Sequence, residues 1–343
     1  MLKESPVREA MLYKKLGEKV LCNLCERRCK ISSGETGYCK TRKNIEGRLY
    51  TTVYGKLSAL ESRPIEIKPF FHFWPGSTSL TYSTVSCNFD CPWCQNWHLS
   101  KTRPDKVHLR YFSPKDVVDL AFKRNDNGLC VSLNEPTLLH EFNLECFKLS
   151  KEIGLYNTYV SNGYFTLDAL KMLKDSGLNA INIDIKGNDE VYKKYCKGVD
   201  VNIIWRNARR AKELNIHVEM INLLISNVND DEECIRWIID EHLKNLGPDT
   251  PIHFTRYFPA YKFENPPTSL DTLIHAYETA KKEGILFPYL GNVLGHKFEN
   301  TYCPRCNSLL IKRYGYRVLE YNLIDKKCKC GEEIPIIGSY IKK

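Results

Sequence analysis

Eleven of the fifteen cysteines fall into three tight groups, and the middle group comes directly after a strand pattern. Cys22, Cys25, Cys29 and Cys39 lie near the start of the chain. Cys87, Cys91 and Cys94 sit within eight residues of one another, and Cys303, Cys306, Cys328 and Cys330 lie near the end. Chance does not distribute residues this way. The opening stretch, MLKESPVREAMLYKKLG, is charged throughout and lacks the apolar run of a secretory signal. The chain is therefore expected in the cytoplasm, where thiols stay reduced. Grouped cysteines there point to metal or catalysis rather than to a disulfide framework. Two groups of four suit closed metal sites, whereas three thiols leave one metal position without a protein ligand.

Between the terminal groups, strand and helix patterns alternate. Strands are expected at Ser79–Ser86, Leu129–Leu133, Tyr156–Val160, Ala180–Ile185, His217–Ile225, Ile252–Tyr257 and Leu286–Leu290. Helices are expected over Leu139–Ile153, Leu167–Ser176, Asp189–Tyr195, Val201–Leu214, Asp230–Leu243 and Leu270–Lys282. One more helix opens at Ser113-Pro114-Lys115-Asp116, which reads as an N-cap, a proline at the first position and an acidic first turn. Val- and Ile-rich strands alternating with such helices predict βαβ units and a parallel sheet, as a barrel, a partial barrel or an open two-sided sheet. At 343 residues the chain has room for about two domains or one large α/β unit with additions. An apolar fraction of 43% excludes disorder as the main state. No apolar run approaches the ~18 residues of a membrane helix.

The residues just past each strand narrow the chemistry. The first strand runs into CNFDCPWC, the second into Asn134-Glu135-Pro136-Thr137, the third into Ser161-Asn162-Gly163. Later strands end in Asp184-Ile185-Lys186, Ser226-Asn227-Val228-Asn229, Arg256-Tyr257-Phe258-Pro259 and Gly291-Asn292. Polar groups at carboxyl strand ends are where β/α barrels build active sites. Turn chemistry alone explains Ser161-Asn162-Gly163. It explains the cysteine triplet, Glu135 and the Asp184/Lys186 pair poorly.

Pro92 and Trp93 disfavour a regular helix through the triplet, so a loop wrapping a ligand is expected. A closed [4Fe–4S] cluster takes four thiolates, and three leave one iron open to a small molecule. A zinc site completed by His98 is the alternative reading.

CxxxCxΦC, with Trp93 at the aromatic position, resembles the signature of radical S-adenosylmethionine (SAM) enzymes. Asn134-Glu135-Pro136-Thr137 resembles their Gly-Gly-Glu segment, with Asn134 where a second glycine is usual. Ser161-Asn162-Gly163 and Asp184-Ile185-Lys186 resemble segments of glycyl-radical-enzyme activases such as the pyruvate formate-lyase activating enzyme. In those activases an Asp preceding the turn helps bind a monovalent cation; Val160 stands there in this chain. Outside the core, the cysteines from Cys22 to Cys39 with Gly34, Gly37 and Arg42, the segments Pro64–Pro69 and His72–Ser77, and the stretches Gly247–Lys262 and Gly291–Cys306 resemble the radical SAM member of the AmmeMemoRadiSam system.

This resemblance implies an α/β fold: a partial (β/α)6-type TIM barrel with a Cys-rich N-terminal segment and a C-terminal zinc-ribbon-like module. The corresponding bounds are 1–70, 71–295 and 296–343. It implies a [4Fe–4S] cluster on Cys87, Cys91 and Cys94. It also implies SAM contacts from Glu135, which would hold the methionyl amino group, with Asn134, Trp93, Ser161, Asn162 and Asn292 as further candidates. A ferredoxin or flavodoxin would supply the electron, a 5′-deoxyadenosyl radical would take hydrogen from a substrate, and proteins of the same system would be partners. Lys186 and Asp184 are candidate catalytic residues, and an ion pair between them is the plainer reading. Cys196, in KKYCKG, is a candidate hydrogen donor.

Cys303-x2-Cys306-x21-Cys328-x1-Cys330 reads as a zinc ribbon with a shortened second knuckle, with a rubredoxin-like iron as the alternative. For Cys22, Cys25, Cys29 and Cys39, zinc and an auxiliary iron–sulfur cluster stand equal, because thiolates suit both. Cys130, Cys146 and Cys234 read as buried small hydrophobes, and His253 as a core residue. His296 is an active-site candidate. Phe70, Phe71, Phe73 and Trp74 read as packing or as a substrate platform. The competing functions are radical SAM modification of RNA or protein, and a zinc-ribbon protein binding nucleic acid through the net charge of +9. The basic residues are spread along the chain, which weakens the last.

Overall fold

The computed structural model describes residues 8–197 and 199–342. Eight strands form a mainly parallel sheet: β1 (Ala59–Pro64), β2 (Thr78–Ser83), β3 (Gly128–Val131), β4 (Tyr156–Ser161), β5 (Ala180–Ile185), β6 (His217–Leu224), β7 (Ile252–Arg256) and β8 (Pro288–Gly291). Between them run α1 (Pro114–Lys123), α2 (His140–Glu152), α3 (Leu167–Ser176), α4 (Asp189–Tyr195), α5 (Val201–Glu213), α6 (Glu232–Leu246) and α7 (Leu270–Lys282). The expected strand–helix alternation is present, with β5, α3, α4 and α7 at their expected bounds. Strand β1 was not anticipated from the sequence.

Local chemistry explains the boundaries. Ser113 and Asp116 form a reciprocal capping box ahead of Pro114 and start α1. Thr166 caps α3, which stops at Gly177 in the left-handed region, φ 114°. All four residues of β3 are buried, as a central parallel strand with both faces covered requires.

The chain divides into two compact units. One takes the chain up to Ser62, then Ser79–Ile181 and Leu214–Ile216. In it β3 pairs in parallel with β2 and β4. The N-terminal segment adds two three-stranded antiparallel sheets, one around Lys19–Cys22 and one around Arg48–Thr51. The second sheet is tied to α2 by a buried ion pair in which Arg42 Nη1 donates to both Glu141 oxygens at 2.8 and 2.7 Å. Tyr54 donates to Glu145 on the same helix at 2.6 Å.

The other unit takes Arg63–Thr78, Asn182–Glu213 and the chain from His217 onward. Here β7 pairs in parallel with β6 and β8. Fully buried Glu219 on β6 accepts the backbone N–H groups of Phe71 and His72 and binds the rings of His217 and His253 at 2.9 and 2.8 Å. Its carboxyl is held far below the usual range: burial opposes ionisation, but the two histidines outweigh it. Phe70, Phe71 and Phe73 are buried, which fits the packing reading of that segment. The C-terminal hairpin, Leu309–Tyr314 with Arg317–Tyr321, shares its core with β8: Leu310, Ile311 and Ile336 pack with Phe71, Phe287 and Tyr289. Among the described residues no helix is long and apolar enough to cross a membrane.

Candidate functional site

Past β2 the chain leaves regular structure until a short helix, Trp97–Ser100, so the triplet lies on a wrapping loop, in line with Pro92 and Trp93. Ser86, just before Cys87, takes φ 74°. Cys91 is buried and Cys87 and Cys94 are half-buried; none is in a disulfide. The Phe89 N–H donates to Cys87 Sγ at 3.4 Å, and Cys94 Sγ lies 3.1 Å from Ser100 Oγ. An ion pair of Lys101 with Asp90 clips the loop at 2.8 Å. Trp93 is buried, and His98 is exposed. Burial, with Glu135, Cys91 and Cys94 adding like charge, pushes the Cys87 thiol up to about 12. Such a thiol parts with its proton when a cation replaces it.

Strand β3 leads into Leu133 at φ 77°, then Asn134 and Glu135. Left-handed φ at a non-glycine residue costs about 1–3 kcal/mol and tends to occur where function fixes the backbone. Glu135 is buried and caps a short turn, Pro136–Leu139. Its oxygens accept the Thr137 N–H at 3.1 Å, the Thr137 hydroxyl, the Ser161 hydroxyl at 2.9 Å and the Asn162 N–H at 3.0 Å. Burial raises its pKa, and these donors pull the other way. Asn134 Nδ2 donates to Ser86 O at 2.9 Å, while its buried Oδ1 accepts nothing. Asn162 Nδ2 donates to Asn88 Oδ1 at 2.7 Å. The ends of β2, β3 and β4 thus bring together Cys87, Asn134, Glu135, Ser161 and Asn162. Sequence reasoning did not single out Ser86, Asn88 or Thr137. Thr137 stands two residues past Glu135 and Asn88 next to Cys87, but neither residue type carries chemistry by itself.

The remaining candidates lie in the second unit. Lys186 is buried and its Nζ donates to Asp184 Oδ2 at 2.6 Å, the plainer of the two expected readings. Its backbone N–H donates to the Tyr192 hydroxyl at 3.0 Å, and its carbonyl accepts from Asn229 at 2.7 Å. Cys196 is fully buried at the end of α4; Gly198 of the same loop lies outside the described residues. Asn292, at φ 58°, donates to Arg256 O at 2.9 Å. His296 Nδ1 accepts the Phe298 N–H at 3.2 Å. Cys234 and His253 in this unit, and Cys130 and Cys146 in the first unit, are buried.

The two groups of four differ in spacing. Cys303 and Cys330 have sulfurs 3.6 Å apart, as do Cys306 and Cys328, and all four sulfurs lie within 4.8 Å of one another. Ser308 holds the Cys306 thiol down to about 6. Cys22, Cys25, Cys29 and Cys39 are not drawn together in this way and line a pocket with Arg27, Arg42 and Asn88, whose cavity volume is about 10 Å³.

The sequence profile of the radical SAM superfamily matches residues 81–238, which contain the triplet, Glu135 and Ser161. The chain is 41% identical over 336 residues to an uncharacterized protein of Methanocaldococcus jannaschii, MJ0808, covering 96% of this chain and all of that one. The chain belongs to the radical SAM superfamily. Members of this superfamily are enzymes that use a [4Fe–4S] cluster and SAM. A putative glycyl-radical enzyme activating enzyme of M. jannaschii is 25% identical over 166 residues, 47% of this chain and 67% of that one. The fold is shared with SuiB of Streptococcus suis solved with SAM bound, at TM-score 0.51 and 14% identity, over 66% of this chain and 53% of that one. The residues present fit the radical SAM cofactors: three unbridged thiols on one loop, a pinned carboxylate, and an orphaned buried acceptor on Asn134.

Proposed function

We propose that Cys87, Cys91 and Cys94 hold the [4Fe–4S] cluster, and that Glu135 and Asn134 receive the amino group of SAM. A cluster held there would supply a low-potential electron for reductive cleavage of SAM, and with it hydrogen-abstraction chemistry toward a substrate. The observation that carries this reading is the convergence of the triplet loop with the pinned Glu135 carboxylate. Thr137, Ser161 and the Asn162 N–H spend their donors on orienting that carboxylate and on offsetting part of the upward push of burial. Asn134 Oδ1 offers the acceptor that an ammonium group would satisfy. Ser161 and Asn162 act as positioning residues, and buried Trp93 keeps water from the loop. The similarity to a putative glycyl-radical enzyme activating enzyme supports activase-like chemistry; a place in the AmmeMemoRadiSam system, with ferredoxin or flavodoxin as reductant in the cytoplasm, belongs to the same proposal and rests on the sequence resemblance alone. In this reading residues 71–295 form a partial (β/α)6 barrel, and Cys303, Cys306, Cys328 and Cys330 hold zinc in a ribbon-like module.

The test is anaerobic purification followed by reduction with SAM. A brown protein that releases 5′-deoxyadenosine is expected. Glu135→Gln should raise the KM for SAM by roughly 10- to 100-fold, the worth of a hydrogen bond to a charged group. A colourless zinc protein that leaves SAM intact would overturn the proposal.

A further inference from the structure

The four N-terminal cysteines carry chemistry that the triplet does not account for. Cys22, Cys25 and Cys39 are buried, Cys29 is half-buried, and none is bridged. A single zinc at about 2.3 Å from each sulfur forces the sulfurs of a tetrahedron to within about 3.8 Å of one another. The C-terminal group of this same chain comes close to that demand, with two pairs of sulfurs 3.6 Å apart and all four within 4.8 Å. Among the described residues it is the one group whose ligand atoms all fall within 4.8 Å. The N-terminal thiols are not drawn together to that distance, although all four line one pocket. A cluster suits that arrangement, because each thiolate then binds a different iron.

The walls of the pocket point to an anionic occupant. Arg42 is buried, and its Nε has no hydrogen-bond partner although both other nitrogens of its guanidinium are engaged. Asn88 is buried, and its Nδ2 is likewise an unpartnered donor. Both side chains line the pocket. Leaving a buried donor unmade costs about 1–3 kcal/mol, and more when it is charged. A sulfide-rich anion would satisfy both. The Tyr38 N–H already donates to Cys29 Sγ at 3.4 Å.

The pocket also adjoins the triplet loop. Asn88 follows Cys87 in the chain, and the Arg27 guanidinium donates to its carbonyl at 3.0 Å. Ser86, on the other side of Cys87, donates its hydroxyl to Cys39 O at 2.7 Å. Both chain neighbours of Cys87 are therefore bonded to the N-terminal cysteine segment.

We propose that Cys22, Cys25, Cys29 and Cys39 bind a second [4Fe–4S] cluster, which passes single electrons to the site on Cys87, Cys91 and Cys94. The binding claim stands alone; the relay rests on the function proposed above. One electron enters from a low-potential donor of the flavodoxin or ferredoxin class and one leaves to the triplet site. No bond is made or broken in the relay itself.

The experiment uses the full chain, purified and reconstituted without oxygen, as wild type and as two variants. Cys87→Ala/Cys91→Ala/Cys94→Ala is expected to keep about four iron and four sulfide, half of the wild-type content, with a dithionite-bleached visible band. Zinc without sulfide in that variant would overturn the proposal. Equal iron in wild type and this variant would instead sink the triplet assignment and leave the second cluster standing. Cys22→Ala/Cys25→Ala is expected to keep a SAM-perturbed electron paramagnetic resonance signal from the triplet cluster. Its SAM cleavage should fall at least tenfold with reduced flavodoxin and less with dithionite. An unchanged rate with flavodoxin would overturn the relay. Should that variant fail to fold, the iron and sulfide content of the triplet variant still decides the binding claim.

Discussion

At the C-terminal end, the sulfurs of two pairs of thiols stand 3.6 Å apart on segments that flank a hairpin sharing a hydrophobic core with β8. At the N-terminal end, the same number of thiols is more widely spaced and lines a pocket walled by Arg42 and Asn88, in a segment bonded to the triplet loop. Ligand type and number are identical, so the difference comes from what the backbone around them is built to do. Tight knuckles close on one ion and staple a small core. A cradle with unpaired buried donors stays costly until something anionic fills it. In the proposed reading, four cysteines specify metal binding, while the surrounding fold specifies which metal centre.

Removing the C-terminal staple should separate the two ends most strongly. Cys303→Ser/Cys328→Ser is expected to lose zinc and on the order of 5 kcal/mol of stability in denaturant unfolding. That is less than the ~10–16 kcal/mol of isolated zinc-finger peptides, because Phe71, Phe287 and Tyr289 still hold part of the core. Iron content should not change. Equal stability with and without zinc would show that the C-terminal thiols staple nothing.

The N-terminal cradle should respond next to its ion pair. Glu141→Leu leaves Arg42 buried without its carboxylate and is expected to cost about 3–5 kcal/mol. The double variant Arg42→Met/Glu141→Leu should recover most of that stability, since a buried pair is often replaceable by apolar residues. It should nevertheless shift the spectrum or potential of the N-terminal centre, because Arg42 lines the pocket. Full recovery of both would make Arg42 a packing residue only.

Acid acts on the unit that carries the C-terminal hairpin. Burial lowers His72 from 6.5 to about 3, so the folded protein keeps it neutral while the unfolded chain takes up a proton below about 6.5. Stability from this residue is therefore full at neutral pH and is lost as pH falls from about 6.5 toward 3, by roughly 3 kcal/mol at pH 4. His72→Phe should flatten that part of the stability–pH profile, although it gives up the 2.6 Å contact with the Tyr289 hydroxyl. An unchanged acid limb would mean that another group titrates there.

The alternating strands, most helix bounds and the cysteine grouping were legible in the sequence because they rest on local patterns: period, caps and spacing. Glu135 was legible through its neighbours in sequence. Its partners Ser161 and Asn162, 26 and 27 residues away, could be proposed from resemblance, but their hydrogen bonds to it could not. Lys186 offered two readings that spacing cannot separate; the side chain's 2.6 Å contact with Asp184 shows the ion pair formed.

The type of chemistry was already set by the order of residues along the chain. Three thiols after a strand suit a metal with one position left open, and the resemblance to radical SAM enzymes implied a SAM contact for the carboxylate after the next strand. How the two larger thiol groups differ was decided in three dimensions. Sulfur spacing, the orphaned donors of Arg42 and Asn88, and the bonds from Ser86 and Arg27 depend on strands and loops far apart in the chain. Ligand identity is written residue by residue, but the volume and charge of the space between ligands are not.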